Sequence, residues 1–231
     1  CGRPLTVKCM NFEIIDNLFQ VFVMFVSALI SYIAAVKLSQ RSARCSRMFM
    51  TLAFGYTSFM LGTLFFVLHI IILSYNAKIF YVSEISWTAA HMFFLSLAMM
   101  RERGHEKESR TIFAWIPVGI AVCIVAAFVI LYGPSVMGGL FSVTVTALAY
   151  KAARGVHRAA LTGASMRLDI TFLAAAVLQS LVYIVSVFTH DYTRFNLYFA
   201  VDITFTLTMA SFVGALYKEA VSGYEEGSEE Q

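Results

Sequence analysis

The sequence has few charged residues, few prolines and few cysteines. Only 13% of its 231 residues are charged and 59% are hydrophobic, whereas soluble domains average about 25% charged and about 45–50% apolar residues. A soluble globular domain is therefore excluded. Three prolines exclude a Pro-rich linker, and four cysteines without a CxxC pair exclude a zinc ribbon or a thioredoxin-type site. What remains is an all-α, polytopic membrane protein.

Seven stretches can form transmembrane helices, each of which needs about 20 mainly apolar residues. In the second stretch, Ser58 and Gly62 are one helical turn apart, and two small residues at this spacing predict close contact with a neighbouring helix. The stretches form a single domain over residues 1–217, followed by an acidic, flexible cytoplasmic tail over 218–231. The predicted spans are 17–36, 48–74, 79–100, 112–132, 136–153, 168–189 and 195–217.

The positions of the basic residues predict the orientation of these spans. Alternate loops carry 13 of the 17 lysines and arginines, in the groups 37–47, 101–110, 151–167 and Lys218. The opposite loops carry four, namely Arg3, Lys8, Lys78 and Arg194. Because cytoplasmic loops are enriched in lysine and arginine, the N-terminus is predicted outside and the C-terminus inside. Basic loops beside a membrane indicate orientation and contact with anionic lipid, and no nucleic-acid partner is expected.

A short segment of the sequence occurs twice. Residues 79–88 read IFYVSEISWT and residues 197–206 read LYFAVDITFT, an offset of 118 residues with eight of ten positions identical or similar. This repeat predicts a duplication in which helices 1–3 recur as helices 5–7, with helix 4 between them. Both copies begin outside, so the duplication is parallel, with its axis along the membrane normal. Glu84 and Asp202 are then equivalent residues at the same depth.

The two acids mark the candidate site, because ionisable residues inside a membrane are costly and are functional candidates by default. Residues at three- and four-residue spacing from each acid share its helix face, and His69 in helix 2 lies at about the depth of Glu84. These residues predict an outward-facing, partly polar pocket for a proton, a cation or a small amine. Its predicted members are Glu84, Asp202, His69, Trp87, Thr88, His91, Tyr198, Phe205 and Thr206.

The acids on helices 3 and 7 resemble those of the microbial rhodopsins. In that family an acid on helix 3 is followed four residues later by a threonine, as Glu84 is by Thr88. Its helix 7 acid is followed four residues later by the retinal-binding lysine. Here Asp202 is followed by Thr206, and helix 6 has no tryptophan. The resemblance implies a related helical plan without covalently bound retinal, which would make the chain an opsin-like protein.

The three-plus-one-plus-three plan also resembles the SWEET sugar transporters and the bacterial vitamin-precursor transporters of the PnuC type, without the proline- or asparagine-based signature of either family. Two functions stay open. The first is a seven-helix sensor or receptor that binds a small ligand or a proton, and the second is a small proton- or cation-coupled transporter. The polar residues cluster in the outer half of the bilayer, which favours the sensor.

Enzymatic activity is not expected, and no cofactor or metal is predicted. A zinc hydrolase needs about three convergent protein ligands, and the spans contain two histidines, His69 and His91. An acid could complete the set, so a metal-dependent hydrolase ranks as the last alternative. The expected partners are the lipid bilayer and a small-molecule or cation ligand. A cytoplasmic protein that docks on the basic loops or on the acidic tail is a further expectation. The plasma membrane is the expected location of this multi-pass protein.

Overall fold

The computed structural model describes residues 12–73, 81–102, 112–133, 135–163 and 165–229, and every regular element in these ranges is helical. All seven predicted spans coincide with a helix. The elements are α1 (Phe12–Leu38), α2 (Ala43–Leu73), α3 (Tyr81–Glu102), a 3₁₀ turn (Ile112–Ala114), α4 (Trp115–Tyr132), α5 (Val136–Thr162), α6 (Arg167–Phe188) and α7 (Leu197–Glu229).

Five of these helices, α1, α2, α5, α6 and α7, are long and apolar enough to cross a membrane. Large apolar side chains face outward along the bundle, and Phe22, Ile72 and Ile130 are each more than 60% exposed. Such a surface is suited to hydrocarbon rather than to water. The protein is therefore a multi-pass helical membrane protein, as the composition predicted.

The remaining two helices, α3 and α4, are not among these five. The sequence of α3 contains Glu84, His91 and several serines and threonines, and these polar residues lower its mean hydropathy. The fourth helix extends to Tyr132, and the apolar stretch described in full, with the turn that precedes it, is Ile112–Ala127. The described residues thus form seven helices, five of which have the length and hydropathy of a span, and a total of exactly seven spans stays a prediction.

Six helices form a closed ring in the order α1, α2, α3, α5, α6 and α7, and α7 packs back against α1. The fourth helix stands outside this ring and packs on α5. The first three helices are thus consecutive neighbours, and so are the last three. The two groups meet where α3 contacts α5 and where α7 contacts α1.

The centre of the ring is filled by large aromatic side chains. Phe212 of α7 packs edge-on against Phe94 of α3 and against Phe172 of α6, with ring centroids 5.4 and 4.7 Å apart. Tyr56 of α2 is fully buried beside them and donates a 2.6 Å hydrogen bond to the carbonyl of Met209. In a membrane such packing and interhelical hydrogen bonds hold helices together, because lipid gives little hydrophobic drive for association.

The second and third helices pack closely through glycine. A methyl group at Gly62 would lie 2.9 Å from the Cβ of Ser86 and 3.1 Å from the carbonyl of Ser83. A methyl group at Gly55 would overlap the ring of Phe94. The small-residue pair Ser58/Gly62 therefore predicted a close contact correctly, and its neighbour is α3.

Several helices extend beyond the predicted spans. The second helix begins at Ala43 rather than at residue 48, and the fifth continues past residue 153 to Thr162. The first helix begins at Phe12 rather than at residue 17, so Asp16 belongs to it. The last helix continues past residue 217 to Glu229. Span prediction by hydropathy ends a helix where polar residues begin, whereas the backbone continues to hydrogen-bond through them.

Candidate functional site

Two aspartates face each other between the first and last helices. Asp16 of α1 and Asp202 of α7 are 4% and 7% exposed, and their carboxyl groups lie within hydrogen-bonding reach of each other. Ionised carboxylates only accept hydrogen bonds. Without a proton, Oδ2 of Asp16 has no donor among the described residues. One proton shared by the pair supplies the missing donor, so the geometry is that of a proton-binding carboxyl pair.

An aromatic cluster covers this pair at the end of the bundle where α1 begins. The segment between α6 and α7 crosses the start of α1, and the amide of Glu13 donates a 3.3 Å hydrogen bond to the carbonyl of Tyr192. The ring of Tyr192 packs edge-on against Tyr198 at 5.2 Å. Partial burial and the charge of Glu13 raise the pKa of Tyr192 above its usual value. The rest of the cluster is Phe12, Phe195 and Phe199.

A chain of side-chain hydrogen bonds links four helices beside the carboxyl pair. The indole of Trp87 on α3 donates to the hydroxyl of Thr63 on α2 at 3.1 Å. Thr63 donates to Oε1 of Gln20 on α1 at 3.0 Å, and Nε2 of Gln20 donates to the hydroxyl of Thr206 on α7 at 3.1 Å. Gln20 lies one turn after Asp16, so both face the interior of the ring. This chain connects the two predicted site residues Trp87 and Thr206.

Glu84 lies in a different environment from Asp202. It is half-buried on α3 and lies close enough to Tyr183 on α6 to act on its hydroxyl electrostatically. Tyr183 packs on Phe141, whose ring is 4.9 Å from the imidazole of His91. The two acids of the repeated segment therefore have different neighbours, Asp16 for Asp202 and Tyr183 for Glu84. That both acids line one cavity stays a prediction.

The other predicted site residues make local contacts. Thr88 donates to the carbonyl of Glu84 at 2.7 Å, and Nδ1 of His91 bonds to the carbonyl of Trp87 at 2.8 Å. Phe205 packs against Phe59 with ring centroids 6.0 Å apart. The imidazole of His69 stacks on Phe65 at 6.4 Å. His91 and Phe205 thus form part of the aromatic lining that surrounds the hydrogen-bond chain.

Sequence reasoning missed Asp16, Gln20 and Thr63. The signal for the first two was present, since Asp16, Asn17 and Gln20 fall on one face of an apolar helix. The predicted span began at residue 17 and placed Asp16 outside the membrane. Thr63 gave no signal, because a threonine in an apolar helix commonly bonds to its own backbone.

A second polar cluster lies at the opposite end of the ring. Arg101 on α3 is seventeen residues beyond Glu84, or about 25 Å along the helix. Its Nη1 donates to Asp169 of α6 at 2.6 Å, while Nε and Nη2 donate to both oxygens of Glu219 on α7 at 2.7 and 2.8 Å. Asp169 fits against Gly155 of α5, where a Cβ would overlap its carboxylate. This three-residue cluster joins α3, α6 and α7.

The described residues contain no group of three or more His, Cys, Asp or Glu that could hold a metal ion. The chain matches no protein-family model, and neither a curated protein nor a solved structure is significantly similar to it.

Proposed function

We propose that this protein is a seven-helix membrane sensor that responds to protons through the pair Asp16 and Asp202. One observation carries the proposal: two buried carboxyl groups face each other, and they can form a hydrogen bond to each other only if one of them holds a proton. Ionisable side chains within membrane-spanning helices are costly, pair with one another and mark proton pathways. Two such groups side by side are retained only where their charge has a use or where a proton neutralises one of them.

A proton fits this site better than a larger ligand does. The carboxyl groups reach each other directly, which leaves no gap that an amine would have to fill. The polar groups beside them bond to one another through Gln20 rather than pointing into open space. Of the ligands expected from the sequence, the proton is the one that completes the existing hydrogen bonds.

A change of charge at the pair would act on the packing of α1 against α7. When the shared proton leaves, two negative charges face each other in a poorly screened environment and repel. The same helix α7 carries Asp202 near its start and Glu219 seventeen residues, or about 25 Å, further along. A tilt or shift of α7 would therefore alter the ion pairs of Arg101. We take this cluster as the place where the signal reaches the cytoplasmic side.

The proposal includes seven spans with the N-terminus outside and a parallel duplication. Three observations support it: the 13-to-4 distribution of basic residues over the loops, the repeated segment at an offset of 118, and the ring order. In a parallel duplication, α1 to α3 and α5 to α7 occupy equivalent places, and the contact α3–α5 is equivalent to α7–α1. The basic loops and the end of α7 are the proposed surface for a cytoplasmic partner protein.

The test is a pH-dependent conformational change measured in lipid nanodiscs. Trp87 belongs to the hydrogen-bond chain, and Trp115 is the other tryptophan. In a Trp115→Phe background, we expect the emission of Trp87 to change sigmoidally with pH. Asp202→Asn should remove this transition, and Asp191→Asn in the exposed α6–α7 segment should not. A transition that persists unchanged in Asp202→Asn would contradict the proposal.

A proton-coupled transporter is the second candidate, favoured by the division of the ring into two three-helix halves. The two functions differ in whether protons cross the bilayer. Proteoliposomes loaded with a pH-sensitive dye and exposed to a pH step distinguish them. If the protein is a sensor, protons enter wild-type and Asp202→Asn proteoliposomes at the same rate. If it is a transporter that leaks or exchanges protons, they enter the wild-type proteoliposomes faster.

A further inference from the structure

The fourth helix leaves a long apolar groove against α5. It packs on α5 and on the preceding turn, outside the six-helix ring, and the groove between α4 and α5 encloses about 770 Å³. At one end lie Trp115 and Tyr150, and at the other end lie Ile130 and Gly139. None of its lining residues belongs to the proposed proton site.

The groove has the length and the chemistry of a binding site for hydrocarbon. From Gly139 to Tyr150 it follows α5 for about 16 Å. Its walls are mainly valines and alanines, and the hydroxyl-bearing residues are Ser142 and Thr146 along the groove and Tyr150 at its end. A Cβ added at Gly139 would meet nothing within 4 Å, so there is room at this end for a chain to lie against the backbone.

One end of the groove is marked by an arginine. The residues of α5 that line it recur at three- and four-residue spacing up to Tyr150, and the same helix face continues to Arg154 and Arg158. The guanidinium of Arg154 lies over the ring of Tyr150, 5.9 Å from its centroid. Trp115 packs on the same ring at 5.2 Å. Tryptophan and tyrosine beside a basic residue are typical of the headgroup level of a membrane.

We propose that this groove binds an anionic phospholipid, with an acyl chain between α4 and α5 and the headgroup phosphate on Arg154. The argument is charge complementarity: an apolar groove ends at a guanidinium, which binds phosphate through its fixed fork of donors. Basic residues at the membrane surface attract anionic lipid in the same way. A zwitterionic lipid would also fill the groove, but the cation of its headgroup offsets the phosphate charge, so it should bind Arg154 more weakly than an anionic lipid does.

Native mass spectrometry of the detergent-solubilised protein tests this assignment. Phosphatidylglycerol and phosphatidylcholine with identical acyl chains are added at equal concentrations. Gly139→Leu fills the groove, and Gly119→Leu is its matched control, because Gly119 also lies on an open face but not in the groove. Arg154→Gln removes the headgroup partner. Arg41→Gln is the control for a general loss of positive charge on the same predicted side of the membrane.

The expected result is a bound phosphatidylglycerol whose affinity falls about fivefold in Arg154→Gln, the effect of one basic residue beside an anionic lipid. Phosphatidylcholine carries the same phosphate, but its choline cation offsets that charge, so its affinity should fall less in Arg154→Gln than that of phosphatidylglycerol. Gly139→Leu should weaken both lipids. Gly119→Leu and Arg41→Gln should bind as the wild type does. If Gly139→Leu does not fold, Ala126→Phe fills the groove from α4, with Ala127→Phe as its control.

Three results would overturn the proposal. Equal losses in Arg154→Gln and Arg41→Gln would mean that the lipid is held by diffuse charge. Wild-type binding of both lipids by Gly139→Leu or Ala126→Phe would mean that the groove is not the site. A dimer that becomes monomeric on Gly139→Leu would mean that a second copy of the chain covers the groove.

Discussion

Arg101 on α3 and Glu219 on α7 form a bidentate ion pair, with nitrogen–oxygen distances of 2.7 and 2.8 Å. The two residues are 118 apart in sequence, which is the offset of the repeated segment. Phe94 and Phe212, also separated by this offset, are in ring contact about two helical turns away along the same helices. Residues related by a two-fold axis touch only beside that axis. These two contacts therefore support the proposed parallel duplication, with its axis passing between α3 and α7.

Removing the charge of Asp169 should destabilise the protein strongly. The side chains of Arg101 and Asp169 are 6% and 5% exposed, and breaking a buried pair costs about 3–5 kcal/mol. Because Arg101 keeps its ion pair with Glu219, we expect the lower end of this range. Glu219 is 26% exposed, so Glu219→Gln should cost less than Asp169→Asn. Thermal unfolding in detergent measures both variants. Equal melting temperatures for the two would contradict the assigned burial.

Gly155→Ala should disturb the same cluster from the side of α5. A methyl group there would overlap the carboxylate of Asp169, which must move away from Arg101. The melting temperature is expected to fall although alanine favours a helix over glycine by about 1 kcal/mol. Gly214→Ala in α7 is the matched control, because nothing lies within 4 Å of its added Cβ. That control should be neutral or stabilising, and a loss in both variants would count against the overlap.

The hydrogen-bond chain should respond to the loss of Gln20. In Gln20→Leu, Thr63 and Thr206 each lose a partner on α1, and interhelical bonds of this kind contribute about 0.6 kcal/mol each. Thr63→Val removes the acceptor of the Trp87 indole and should shift its fluorescence to shorter wavelength. Thr204→Val, which affects a bond within α7, is the control. An unchanged Trp87 spectrum in Thr63→Val would exclude the indole–hydroxyl bond.

Asp191 predicts a pH dependence that is separate from the membrane site. Hydrogen bonds from the side chain and the backbone of Thr193 lower the pKa of Asp191 below its usual value. Its contribution to stability is therefore full above the ordinary aspartate pKa of about 4 and is lost as the pH falls through the lowered folded value. Asp191→Asn should reduce the drop in melting temperature below pH 4. The same drop in both proteins would refute this origin.

Much of the fold could be predicted from the sequence, because the length of an apolar run sets the length of a helix that crosses lipid. The number of helices and the contact at Gly62 follow from local patterns, whereas the position of α4 outside the ring was not predicted. The neighbours of each acid could not be predicted. They depend on the rotation of each helix about its axis, which is fixed by contacts between distant residues such as Gln20 and Thr206.

The end of an apolar run was the least informative feature. Asp16 lies one residue before the predicted first span. It is nevertheless buried inside the ring, because α1 already starts at Phe12 and packs against α7. Glu219 lies two residues after the predicted last span and is held by Arg101. In both places a charged residue was taken for the boundary of a span, when a partner on another helix allows it to lie within the bundle.

The most direct test of the shared proton is infrared difference spectroscopy of the carboxyl groups at neutral pH, in which a protonated acid has a C=O band that a carboxylate lacks. The account predicts such a band in the wild type. It should disappear in Asp16→Asn and in Asp202→Asn, and it should persist in Asp191→Asn and Glu84→Gln. A band that survives in both Asp16→Asn and Asp202→Asn but disappears in Glu84→Gln would contradict the account.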